Sequence, residues 1–291
     1  MLNAYGNLQA GRNWKNTFHT WSFRRFTPSA KFRYCTVWKR SSRQFEIGAW
    51  GILVLIEDDA RKDVEEYLRG KLVPGKIAKI LTFTTKEDGA LCEGCEQVRQ
   101  LAQELAEIAK GSIISENHFF EDATEMVRKF RVRRVPATVV TDEKGVLAMK
   151  FYGLPSGYEF MALLDDVVDA ASGSSPKLNQ STLDVLRKVP EPIHLQVFVT
   201  PTCPYCPRAV RMAHQFSLAN PEKIDAEMIE SMEFPELAEK YGVMAVPKVV
   251  INDRVEFEGA LPEQVFLYKV KEALKNGQST TDRLDEFSQE N

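Results

Sequence analysis

Two Cys-x-x-Cys motifs, Cys92-Glu93-Gly94-Cys95 and Cys203-Pro204-Tyr205-Cys206, stand in this chain. In each case the proline of a Val-Pro pair, Pro136 or Pro247, follows 44 residues after the first cysteine. Each cysteine pair comes after a β-branched, strand-like run and opens a helical pattern. Each proline introduces a further strand-like run, Ala137 to Thr141 and Lys248 to Asn252. One layout is therefore written twice, and its chemistry is redox exchange. The positive end of a helix dipole stabilises a thiolate at the helix N-terminus, and a second thiol one turn away can displace a mixed disulfide. A four-cysteine zinc site, the other reading of two such motifs, holds its pairs about 15 to 20 residues apart. Here 107 residues separate Cys95 from Cys203, and each pair has its own strand, helix and proline, so no metal is expected.

At 291 residues the chain has room for about two domains. Its 44% hydrophobic and 27% charged content is that of an ordinary soluble globular protein. A net charge of −3 gives no reason to expect nucleic acid as a partner of the whole chain. The longest apolar run, Ile47 to Ile56, is too short to span a bilayer, so no membrane is expected either. Five cysteines, four of them in the two motifs, do not make the scattered half-cystines of a small secreted domain, and a cytoplasmic location is expected.

The first fifty residues are unlike the rest. They hold nine Lys/Arg against one acid, Glu46, together with all four tryptophans (Trp14, Trp21, Trp38, Trp50) and the unpaired Cys35. No apolar core of a secretory signal follows their charges. Residues 1–51 read as a basic, aromatic, unstructured extension; a targeting segment and an arm that stacks on single-stranded nucleic acid are the other readings.

Beyond it the pattern is α/β. Asp58 and Asp59 mark the start of a helix to about Leu72, and a strand over Ile77 to Thr84 leads into the loop that delivers Cys92. The helix from Cys95 places Val98, Leu101, Leu105 and Ile108 on one face, a core stripe. A first unit over 52–171 closes with a helix from Tyr158 to Ala171. A Ser/Gly/Pro-rich linker covers 172–180, the plan repeats over 181–276, and a polar, disordered tail covers 277–291. A repeat of about 110 residues is a duplicated domain rather than a solenoid.

The string Thr200-Pro201-Thr202-Cys203-Pro204-Tyr205-Cys206-Pro207, with Val243-Met244-Ala245-Val246-Pro247-Lys248, resembles the C-terminal half of the glutaredoxin-like protein disulfide oxidoreductases. These are two-unit thioredoxin-fold proteins, found largely in thermophilic prokaryotes and similar to a minimal protein disulfide isomerase. The resemblance covers Leu55 to Asn276. It is specific in the second unit and looser in the first, where Cys92 follows a longer loop. It implies two tandem thioredoxin-fold units, each a mixed central sheet flanked by helices. It further implies dithiol-disulfide exchange on protein substrates, no metal or organic cofactor, and a thioredoxin reductase as an electron source. By the motif, Cys203 attacks and Cys206 resolves, with Cys92 and Cys95 in the same roles at the first site. Pro136 and Pro247 are, by resemblance, cis prolines facing the cysteines. Val135, Val246 and Tyr205 then border an extended substrate.

Acids (Glu87, Asp88, Glu93, Glu96) crowd the first motif, whereas Arg208 and Arg211 follow the second, so Cys203 is expected to be the more thiolate-prone. Arg133 and Arg134 should partly offset those acids. His118, His194 and His214 read as surface or strand-end residues. The acid that thioredoxins bury beneath the disulfide is expected in neither unit, since Val197 stands six residues before Cys203. Two other functions compete with disulfide exchange on many clients. One is an electron relay to a single peroxiredoxin-type client, although the chain has two cysteine pairs and no GxGxxG fingerprint. The other is a chaperone-like module that holds unfolded chains.

Overall fold

The computed structural model describes residues 55–86, 92, 94–173 and 176–275; the basic aromatic extension with Cys35, and the tail, lie outside them. The order is α1 (Asp58–Lys71), β1 (Ala78–Thr84), α2 (Cys95–Ile108), β2 (Ile113–Phe119), α3 (Thr124–Lys129), β3 (Ala137–Asp142), β4 (Met149–Tyr152) and α4 (Glu159–Ser172). After it come α5 (Gln180–Leu186), β5 (Ile193–Val199), α6 (Cys206–Ala219), β6 (Ile224–Glu230), α7 (Pro235–Lys240), β7 (Lys248–Ile251), β8 (Val255–Glu258) and α8 over 263–275. The N-cap of α1 is Glu57, so Asp58 and Asp59 fall in its first turn, where their charges favour the helix dipole. Among the described residues no helix is long and apolar enough to cross a membrane.

The strands form one eight-stranded sheet in the order β2-β1-β3-β4-β6-β5-β7-β8. In the first half β1 pairs parallel with β2 and antiparallel with β3, which pairs antiparallel with β4. The second half repeats this with β5, β6, β7 and β8. The halves join where β4 lies parallel to β6, with Lys150 opposite Glu227 and Tyr152 opposite Ile229. The two mixed sheets expected from the repeat are thus one sheet.

Strand residues alternate between its faces. Ile80, Val140, Phe151 and Met228 enter the core beneath α1, α2, α4 and α6, and the expected α2 stripe enters it too. Their neighbours Leu81, Val139, Tyr152 and Ile229 pack on the opposite face with Phe130, Phe198 and Phe234. Covered on both faces, β1 and β5 are buried along almost their whole length.

Two polar clusters lie in this interior. At the β4–β6 seam the buried Lys150 ammonium sits 2.5 Å from Asp225 and 3.6 Å from Glu227. Arg133 reaches the same two carboxylates at 2.8 and 3.1 Å, and Arg134 and His194 reach Glu227 at 3.3 and 2.8 Å. Between α4 and α6, Asp166 and Asp169 bind Arg211, while His214 lies 2.6 Å from Asp166. His214 is fully buried, against the expectation of a surface position, and burial beside Arg211 lowers its pKa to about 3.

Candidate functional site

The second cysteine of each motif is the first residue of its helix, Cys95 of α2 and Cys206 of α6, so both pairs sit where the unpaired backbone N–H groups of a helix start converge. Both are joined as disulfides with Cα atoms 5.5 Å apart. In each pair the first cysteine is the more accessible: Cys203 at 8% against 0% for Cys206, and Cys92 at 7% against 2% for Cys95. At the second site the Cys206 backbone N–H donates to Cys203 Sγ at 3.1 Å, a bond that stabilises negative charge on that sulfur once the pair is reduced.

The peptide bonds preceding Pro136 and Pro247 are both cis. The proline carbonyls accept from Gly153 and Gly259 at 3.1 and 2.8 Å, which holds the proline corners against the ends of β4 and β8. The Val246 carbonyl oxygen faces Cys203 Sγ at 3.7 Å. Val135 and Val246 are half-buried, whereas Tyr205 and Met244 stand 64% and 91% exposed. The second site therefore combines a sulfur at a helix start, a backbone corner beside it and an apolar rim.

The charges expected to tune these sulfurs are largely engaged elsewhere. Arg211 turns into α4, where Asp166 and Asp169 neutralise it, and only the exposed Arg208 remains near Cys203 in sequence. Arg133 and Arg134 are bound to Asp225 and Glu227, and Arg134 also lies over the Tyr152 ring.

A buried acid to which the motif spacing does not point opens α4. The Tyr158 N–H donates at 3.1 Å to the carbonyl of Pro201, two residues before Cys203, and the next residue, Glu159, opens α4. Glu159 is 1% exposed, neither carboxyl oxygen has a hydrogen-bond partner among the described residues, and burial raises its pKa to about 8. Val197, six residues before Cys203, is buried in β5. The signal present in the sequence is Glu159 itself, an acid opening the apolar run Phe160 to Leu164.

Among the described residues, His194, Asp225 and Glu227 bring their ligand atoms within 4.8 Å of one another. These carboxylates are already saturated by Lys150, Arg133 and Arg134, an arrangement that repels a cation, so the group is an ion-pair network rather than a metal centre.

The thioredoxin domain family matches residues 193–272. A thioredoxin of Methanocaldococcus jannaschii is 38% identical over 82 residues, which cover 28% of this chain and 96% of that protein. An alkyl hydroperoxide reductase subunit of Staphylococcus epidermidis is 29% identical over 216 residues, 74% of this chain but only 38% of that protein, so the chain spans well under half of that relative. Among solved structures, a protein disulfide oxidoreductase from Aeropyrum pernix superposes with a TM-score of 0.67 at 29% identity, covering 77% of this chain and 95% of the other. With its repeated sheet, its cysteine pairs at helix starts and a thioredoxin aligned over nearly its full length, this chain belongs to the thioredoxin family.

Proposed function

We propose that this thioredoxin-type disulfide oxidoreductase exchanges disulfides with other proteins, with Cys203 and Cys206 as the principal pair and Cys92 and Cys95 as a second one. The observation that carries this reading is the setting of Cys203 Sγ, between the Cys206 N–H at 3.1 Å and the Val246 carbonyl at 3.7 Å, beside the exposed Tyr205 and Met244. An extended client segment laid along Val246 and Pro247 would bring its own disulfide to that sulfur; Val135 and Pro136 hold the same place at the first pair.

In the reducing direction the Cys203 thiolate attacks a client sulfur. The client S–S bond breaks, a Cys203–client disulfide forms and one client thiolate leaves. Cys206 then loses its proton and attacks Cys203 Sγ, closing the intrachain disulfide and releasing the second client thiolate. Two electrons pass from the cysteine pair to the client, whose two thiolates take up the proton released by Cys206 and one from solvent, where Cys203 left its own on ionising. Cys206 is completely buried, so its proton needs an internal acceptor. We assign that role to Glu159, which opens α4 one residue after the Tyr158 N–H that binds the Pro201 carbonyl beside this motif, and whose ionisation burial moves toward neutral pH.

The pair of sulfurs carries the two electrons itself, so this chemistry calls for no metal or organic cofactor. A thioredoxin reductase in the cytoplasm is the proposed electron source. A second reading, a relay to one peroxiredoxin-type client, is favoured by the 216-residue match to part of an alkyl hydroperoxide reductase.

Dithiothreitol-driven insulin reduction tests the main reading. Cys203→Ser should lower turnover at least ten-fold, and Cys206→Ser should accumulate covalent mixed disulfides visible on non-reducing gels. Near-normal turnover in both variants would move the principal site to Cys92 and Cys95. Turnover confined to a peroxiredoxin substrate would favour the relay.

A further inference from the structure

The joined sheet fixes where the two cysteine pairs stand relative to each other. Cys92 and Cys203 come after the C-terminal ends of β1 and β5. Strands β1 and β4 are each antiparallel to β3, β4 is parallel to β6, and β6 is parallel to β5, so β1 and β5 run the same way. Both pairs therefore open at one edge of the sheet. Four strand steps, β1-β3-β4-β6-β5, lie between them. At about 4.8 Å a step the two strands are roughly 19 Å apart. Helix α2 packs on β1 and β2, and α6 packs on β5 and β6, so the helix starts that hold Cys95 and Cys206 repeat this spacing. Reacting atoms must approach to about 3.5 Å, so this separation decides what the pairs can do to each other.

Nothing among the described residues offers a hinge across the gap. The turn from β4 to α4 lies against the approach to the second pair: a Cβ built on Gly157 would stand 2.2 Å from the Pro201 carbonyl oxygen, and the Tyr158 N–H donates to that oxygen at 3.1 Å. At the end of β6 the Ser231 N–H donates to the Val199 carbonyl at 3.0 Å, and a Cβ built on Gly153 would meet Glu230 Cβ at 2.8 Å. Cys95 and Cys206 are buried in the first turns of their helices, and Cys206 belongs to the core shared by both halves. Bringing the sulfurs together would mean parting β4 from β6, where Lys150, Asp225 and Glu227 are buried.

We infer that the two pairs of one chain do not exchange electrons with each other directly, and that a reduced pair fills the oxidised pair of a second copy of this chain instead. The inference rests on the proposed exchange function. In the step between copies, the Cys92 thiolate of one attacks Cys203 Sγ of the other, the Cys203–Cys206 bond breaks, and Cys206 leaves as a thiolate. Cys95 then loses its proton and attacks Cys92 Sγ, closing the Cys92–Cys95 disulfide and releasing Cys203. Two electrons change molecules, and the second pair takes up the Cys95 proton and one from solvent, where Cys92 left its own on ionising. Each chain is thus a carrier of two separate two-electron stores.

The test traps the bond that direct exchange would need. Cys35→Ser, Cys95→Ser and Cys206→Ser in the full chain leave Cys92 and Cys203 as its only thiols. Diamide, which takes two electrons and two protons from a pair of thiols, is added over two decades of protein concentration, and the products are mapped by non-reducing peptide mass spectrometry. The Cys92–Cys203 bond should be at least ten-fold more abundant in covalent dimers than in monomers, and should form at a rate proportional to protein concentration. A monomer closed by that bond at a concentration-independent rate overturns the inference alone. A second arm keeps each pair whole. A chain with Cys203→Ser and Cys206→Ser is mixed with one carrying Cys92→Ser and Cys95→Ser, one reduced and the other oxidised, in both combinations. Electrons should pass between them at a rate that doubles when protein concentration doubles, and no transfer in either combination overturns the step between copies. Failure of the reduced, unsubstituted chain to act on insulin disulfides overturns the exchange reading, and the inference with it.

Discussion

Glu159 carries the sharpest residue-scale consequence, because its ionisation is coupled to folding. Its pKa is raised from 4.5 to about 8 by burial alone. Between those values the folded state holds a proton that the unfolded state has released, so stability is full below about pH 4.5 and declines as pH rises toward 8. Glu230, raised to about 7 chiefly by burial, adds a slope of the same sign over a narrower window. Glu159→Gln should flatten the decline and leave the protein on the order of a few kcal/mol more stable than wild type at pH 9. Urea unfolding at pH 5, 7 and 9 measures it, and parallel curves for the two proteins would exclude a buried ionisable carboxyl. The variant should also release mixed disulfides several-fold more slowly, a loss that stabilisation does not explain. The cysteine pairs were legible in the sequence because motif spacing records them directly, and the cis prolines because the family resemblance implies them. Glu159 was not, since the role proposed for it at the second site is filled from a helix of the first unit and no fixed offset from Cys203 points to it.

Elements show where the same limit lies in the fold. Every strand and helix is readable from local pattern to within a few residues, because the two periods of burial are local properties of the chain. What the pattern omits is which edges meet. Lys150 falls inside the apolar run Met149 to Tyr152, and its partners Asp225 and Glu227 lie in β6, a strand paired with β4 only through the joined sheet. His214 was misjudged for the same reason: its burial comes from α4 lying against α6. Lys150 is 0% exposed, and burial lowers its pKa against the pull of Asp225 and Glu227. Removing one member of a buried ion cluster strands the others, at a cost of about 3 to 5 kcal/mol. Lys150→Met should lose that much stability in urea, and adding Glu227→Gln should recover part of it. A loss under about 1 kcal/mol for the single variant would show that the seam does not depend on the network.

At the scale of the whole molecule, the repeat suggests two units able to unfold separately, and the structure argues for one. Residues of both halves, from Ile56 and Val140 to Val197 and Phe266, share a single apolar core. The sheet runs through the seam without a break, and α4 packs on α6. Parts of the segment read as a linker are anchored as well: the Lys177 N–H donates to Gln215, and Asn179 binds Glu263 through backbone and side chain. Opening either half would expose the buried edge of β4 or β6 together with ions that only the other half neutralises. Such a penalty, several kcal/mol for the ions alone, exceeds what a linker-joined pair would feel and couples the two transitions. Native-state hydrogen exchange at the centres of β1 and β5 measures the coupling. The amides of Leu81 and Val197, both fully paired in the sheet interior, should open with free energies equal within about 1 kcal/mol, and both should fall together in Lys150→Met. A difference of several kcal/mol between the two strands, or a loss confined to one half in the variant, would mean that the halves fold as independent domains and that the shared sheet is a contact rather than a core.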